Sequence, residues 1–142
     1  MKNLFLALAA ILLCCVACNK EDTPTFFSFQ IDGQTYEETD IEIVADNLLS
    51  GVLSLQLRTG GDELLITIND WPDEEGTYEP SFTQWSESGQ NYYGGDDGTV
   101  IITEINRGRE YITGLFDVTC AALGGQDINI ENGEFKLDYV SF

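Results

Sequence analysis

Residues 26–36 read Phe26-Phe27-Ser28-Phe29-Gln30-Ile31-Asp32-Gly33-Gln34-Thr35-Tyr36. Phe27, Phe29 and Ile31 alternate with Ser28, Gln30 and Asp32, the period of a strand with one face in a core and one in water. Asp32-Gly33 is a tight-turn dipeptide, since glycine accepts positive φ without a steric penalty, and Tyr36 starts a return strand. The pattern then recurs along the chain. Leu53, Leu55 and Leu57 alternate with Ser54, Gln56 and Arg58. Thr59-Gly60-Gly61-Asp62 reverses direction, and Leu64, Ile66 and Ile68 form the next apolar face. Ile101, Thr103 and Ile105 read as one face running into the turn Asn106-Arg107-Gly108-Arg109. Ile112, Gly114, Phe116 and Val118 come back. Ile128 and Ile130 precede Asn132-Gly133, read as a further turn, and Phe135, Leu137 and Tyr139 follow. Nothing after residue 25 sustains a helical period of 3.6. Asp40 to Leu49 has the length of a short helix, but Ile41, Ile43 and Val44 favour a strand. Short strands with Gly and Asn turns between them predict an all-β domain of about 8–10 strands. An antiparallel β-sandwich and a lipocalin-like barrel share this pattern.

Composition narrows the function classes. The 142 residues carry 25 acidic against 6 basic side chains and no histidine, a net charge of −19. Such a polyanion repels phosphate, so no nucleic-acid partner is expected. Without histidine there is no imidazole base and no imidazole metal ligand. At the amino terminus, Lys2 precedes an unbroken apolar run from Leu4 to Ala17. That run is shorter than the ~20 residues a membrane-crossing helix needs, and it suits the apolar part of a signal peptide. The expected organisation is a leader over 1–17, a tether over 18–25 and a single all-β domain over 26–142.

The sequence Cys15-Val16-Ala17-Cys18 resembles the lipobox of bacterial lipoproteins, with Cys15 where leucine is usual. The resemblance implies lipidation of Cys18, and three acyl chains at ~0.8 kcal/mol per buried CH₂ make a stable membrane anchor. Asn19-Lys20-Glu21-Asp22 resembles the surface-export signal of Bacteroidota lipoproteins, which implies a surface-exposed position at the outer membrane. Cys18-Asn19-Lys20-Glu21-Asp22, Phe29 to Tyr36, Gly76-Thr77-Tyr78, Gly98 to Thr103, Ile112 to Phe116 and Asn132 to Phe135, in this order, resemble small Bacteroidota outer-membrane lipoproteins of unknown function. Tyr36 stands where tryptophan is common in such proteins, and either ring can plug the same core position. The resemblance implies a compact all-β body on a lipid anchor. It brings no cofactor and no catalytic residues.

Candidate chemistry is sparse. Loss of the leader and lipidation of Cys18 leave Cys120 alone, with no disulfide partner. It ends an apolar strand and reads as a small buried hydrophobe. Residues 70–98 are the least regular stretch, with two prolines and the aromatics Trp71, Tyr78, Trp85, Tyr92 and Tyr93. This stretch reads as loops and short edge strands, where function tends to sit. Trp71, Trp85, Tyr92 and Tyr93 are candidates for a ligand platform, since aromatic faces stack on sugar rings. Alternatively Tyr78, Trp85 and Tyr93 plug the core. Asp96 and Asp97 lie on a glycine-flanked turn and are weak calcium candidates that do not match the spacing of an EF-hand loop. Carboxylates are the only acid–base groups, but no pair is singled out, and no nucleophile elbow, phosphate loop or dinucleotide fingerprint occurs. The expectation is a non-enzymatic binding or structural module of the cell envelope. The alternative is a glycan-binding accessory lipoprotein using residues 71–93.

Overall fold

The computed structural model describes residues 24–39, 51–70, 72–87, 90–94, 97–122 and 126–139. Cys18, Trp71, Asp96 and the stretch from Asp40 to Leu49 lie outside them. Ten strands follow in order: β1 (Phe26–Ile31), β2 (Gln34–Thr39), β3 (Leu53–Thr59), β4 (Asp62–Ile68), β5 (Gly76–Tyr78), β6 (Phe82–Glu87), β7 (Gln90–Gly94), β8 (Gly98–Asn106), β9 (Tyr111–Ala122) and β10 (Ile128–Asp138). All pairings are antiparallel. One sheet runs β2-β1-β10-β9-β8-β5, the other β7-β6-β4-β3. The two meet along β9, whose Ala121 and Ala122 face Tyr93 and Tyr92 of β7. The architecture is a β-sandwich and not a closed barrel. Between β2 and β3 the described contact is a side-chain one, with Thr59 Oγ1 donating to Glu38 Oε1 at 3.0 Å.

The period-two faces converge on one interior. Phe27, Phe29, Leu53, Leu55, Leu57, Leu64, Ile66 and Ile68 point inward as their alternation requires, and Ile112, Phe116, Val118, Cys120, Ile130, Phe135 and Leu137 join them, with Trp85, Val100, Ile102 and Tyr139. Rings from both sheets touch. Phe29 meets Trp85 edge-on at 5.7 Å, and Tyr36 stacks on Phe29 and meets Trp85 at 5.2 Å each. Edge-to-face and offset geometries are the ones aromatic quadrupoles favour. Tyr36 is half-buried and packs against the core from its edge strand.

Three local readings are corrected. Asn132-Gly133 is not a turn: both residues lie within β10, where one extra residue shifts the register against β1 and β9. Asn132 has φ 54°, and its backbone N–H donates to Asp117 Oδ1 at 2.7 Å, which ties down the bulge. In β8 the inward residues are Val100 and Ile102, whereas Ile101 is 38% exposed and sits opposite Leu115, itself 43% exposed. A second register shift between Ile102 and Glu104 returns Ile105 to the core side. Finally, β6 is no edge strand, since it is paired by β4 on one side and β7 on the other.

Candidate functional site

The aromatic platform read from residues 71–93 does not assemble around Trp85. That indole is fully buried among Phe29 and Tyr36, so it offers no face to a ligand. The reason is strand phase: Thr83 and Trp85 share the inward face of a central strand. Trp85 Nε1 has no hydrogen-bond partner, and the T-shaped contacts place aromatic rings around the indole instead. Tyr92 is half-buried against the core. Tyr93 occupies β7 opposite Gln84 and Ala121, with its side chain outside the described residues, like the whole of Trp71. Asp97 is exposed, and its carbonyl accepts from Thr119 N–H at 3.2 Å. Among the described residues no three potential metal ligands cluster.

The structure instead concentrates polar side chains at the β8–β9 turn. Asn106 Oδ1 accepts from Arg109 N–H at 3.1 Å, the side-chain-to-backbone bond that makes asparagine a good first turn residue. On the flanking strands Tyr111 donates to Glu104 Oε1 at 2.6 Å, and Asn106 Nδ2 donates to the Tyr111 hydroxyl at 3.2 Å. The bond to Glu104 holds the Tyr111 phenol above its ordinary pKa, against the opposing bond from Asn106. Lys136 from β10 lies over the Tyr111 ring, 4.8 Å from its centroid. Across from the turn, Arg107 Nη2 donates to the Asp73 carbonyl at 2.9 Å, and the Tyr78 hydroxyl fixes the same loop by donating to the Glu74 carbonyl at 2.7 Å.

Between turn and loop lies a shallow groove of about 430 Å³ lined by Asp73, Glu74, Glu75, Ile105 and Arg107. It offers carboxylate acceptors, one guanidinium donor and an aliphatic floor. These groups can hold a polar ligand by hydrogen bonds. Elsewhere the perturbed groups are locked. Glu63 is held below the usual carboxylate range, first by the bond from Gln56 at 2.6 Å and then by Arg58, with burial opposing. Burial pushes the Cys120 thiol up, with Thr83 and the Trp85 backbone opposing.

Glu104, Asn106, Tyr111 and Lys136 were not singled out from the sequence, where Asn106 to Arg109 reads only as a turn. One signal was present. In a chain with six basic residues, Arg107, Arg109 and Lys136 all fall in the last third. Compared with known proteins, the chain matches no family model, no curated protein and no solved structure.

Proposed function

We propose that this chain is a lipid-anchored protein of the outer membrane, displayed at the cell surface, whose β-sandwich serves as a non-enzymatic binding or structural module. The observation that carries the module reading is the filled interior. Phe27, Phe29, Trp85, Phe116 and Phe135 occupy the space between the sheets, so a partner is met at the rim and not inside. The perturbed groups agree with a non-catalytic role. A buried thiol with a raised pKa is a poor nucleophile, and a carboxylate tied to Gln56 and Arg58 is a poor proton shuttle. The anchor rests on the leader and the lipobox-like sequence at Cys18.

Mass spectrometry of the mature amino terminus tests the anchor, with protease treatment of intact cells to test display. An acylated Cys18 and digestion from outside are expected. An unmodified amino terminus, or a chain that stays in the soluble fraction, overturns the proposal. A glycan array run on the same protein tests the accessory-lipoprotein alternative. With Trp85 buried, that alternative rests on Trp71, Tyr92 and Tyr93.

A further inference from the structure

Resting on the anchor proposed above, we propose that the sandwich end carrying the β8–β9 turn faces the bilayer, with the Arg107 and Arg109 guanidinium groups set against lipid phosphates. The register fixes which end that is. Phe26, where the tether joins the body, faces Lys136, and Lys136 faces Thr113. From Thr113, β9 extends two residues further in that direction to Tyr111, so Arg107-Gly108-Arg109 projects past the attachment point. In the opposite direction β9 runs nine residues from Thr113 to Ala122, ~30 Å at ~3.3 Å per residue. The eight residues from Cys18 to Phe26 span at most ~28 Å when fully extended. Bringing the far end to the membrane would therefore need the tether drawn to its limit, while the near end lies beside it.

The few cations of this acidic chain collect at this end. Among the described residues the cations are Arg58, Arg107, Arg109 and Lys136, and only Arg58 lies elsewhere, paired with Glu63 at 2.9 Å. A guanidinium is weakly hydrated and matches phosphate oxygens in a bidentate fork. Arg107 is two-thirds exposed; its Nη2 donates to the Asp73 carbonyl at 2.9 Å and lies 3.9 Å from the Asp73 carboxylate, an exposed pair that water screens. Asp73, Glu74, Glu75, Glu104, Glu110 and Asp138 lie at the same end, so contact with phosphate is local to the guanidinium groups and not a matter of net charge. The tether sets which end is near, the arginines hold that end against the headgroups, and the acyl chains give affinity.

The test uses the processed, acylated protein in vesicles of phosphatidylethanolamine and phosphatidylglycerol. Gly108→Cys keeps both arginines, and a Cβ there meets nothing closer than Asn106 Oδ1 at 3.7 Å. Asp127→Cys marks the far end. Cys120 is buried and stays unlabelled. With a headgroup nitroxide lipid, a fluorophore at residue 108 is expected to be quenched several-fold more than one at residue 127. Adding Arg107→Gln and Arg109→Gln is expected to lower that ratio, with the tether keeping it above one, while the protein still floats with the vesicles. Equal quenching at the two sites in floating protein overturns the orientation and leaves the anchor standing. An unchanged ratio in the double variant overturns the role of the arginines. Failure to float removes the anchor, and this inference with it.

Discussion

Replacing Gly133 with alanine places a methyl group where a ring already sits. A Cβ at this position falls 2.5 Å from Cδ2 and Cε2 of Phe116 and 2.6 Å from its Cγ. Carbon atoms pack at ~3.5–4.0 Å, so the ring must retreat by ~1 Å. Phe116 has little room for this: it is buried, faces Gly133 directly across the β9–β10 ladder, and is backed by Phe29 at 6.1 Å and Phe135 at 6.2 Å. Gly133 is not in the left-handed region, so the penalty belongs to the ring and not to the backbone. Overpacking of this kind costs ~1–3 kcal/mol. In urea, with a slope of ~1–3 kcal/mol per molar, the unfolding midpoint should drop by ~1 M. Far-UV circular dichroism reads that midpoint. Phe116→Leu removes the obstructing ring, so the double variant should lose less than the two single losses added, by ~1 kcal/mol or more. A loss below ~0.5 kcal/mol for Gly133→Ala, or strict additivity with Phe116→Leu, would refute the reasoning.

Gly114 gives a harsher version: its Cβ would meet the Ile101 carbonyl at 2.5 Å and Phe135 Cζ at 2.6 Å, and because a ladder carbonyl cannot swing aside, Gly114→Ala should cost more than Gly133→Ala in the same titration. Trp85→Phe should change stability by only ~1 kcal/mol by urea unfolding, because the volume lost is offset by removing an indole N–H buried without a partner. Cys120 should resist a thiol reagent in the folded protein and react on unfolding. Its folded pKa is raised from 9.0, so its contribution to stability is full below pH 9 and is lost as the pH rises through the folded value, which a pH series of melting curves checks. The Glu63 carboxyl should titrate below 4.5 by NMR, with its stabilising effect present above that pH and lost on acidification through the folded value. Gln56→Ala and Arg58→Ala should each move the titration back toward the ordinary value.

Where a strand keeps strict phase over its length, the sequence alone revealed its face. Leu53-Leu55-Leu57 and Leu64-Ile66-Ile68 point inward as read, and Cys120 is buried at the end of its strand. Phase breaks were harder to read. Ile130 and Phe135 are five residues apart, an odd number that puts them on opposite faces of a regular strand. A turn and a bulge at Asn132-Gly133 both repair that parity, and the choice is made by β1, which pairs with β10 on both sides of the break. Ile102 and Ile105 pose the same problem three residues apart, and Val100 and Ile101 are equally apolar, so the sequence does not say which of them faces inward. Trp85 takes the core-plugging one of its two readings, and the sequence does not choose between them for a related reason. Its neighbours Ser81, Ser86 and Ser88 look like loop, and only pairing with both β4 and β7 makes β6 central. The cluster around Tyr111 joins residues from β8, β9 and β10, and a one-dimensional reading has no means of bringing Lys136 over that ring.

Strand β9 ladders with β10 along one edge and with β8 and then β7 along the other. Neither half of the molecule can peel away without breaking hydrogen bonds to this shared segment. Its central amides should therefore be the last to exchange with deuterium, opening only when the whole body opens.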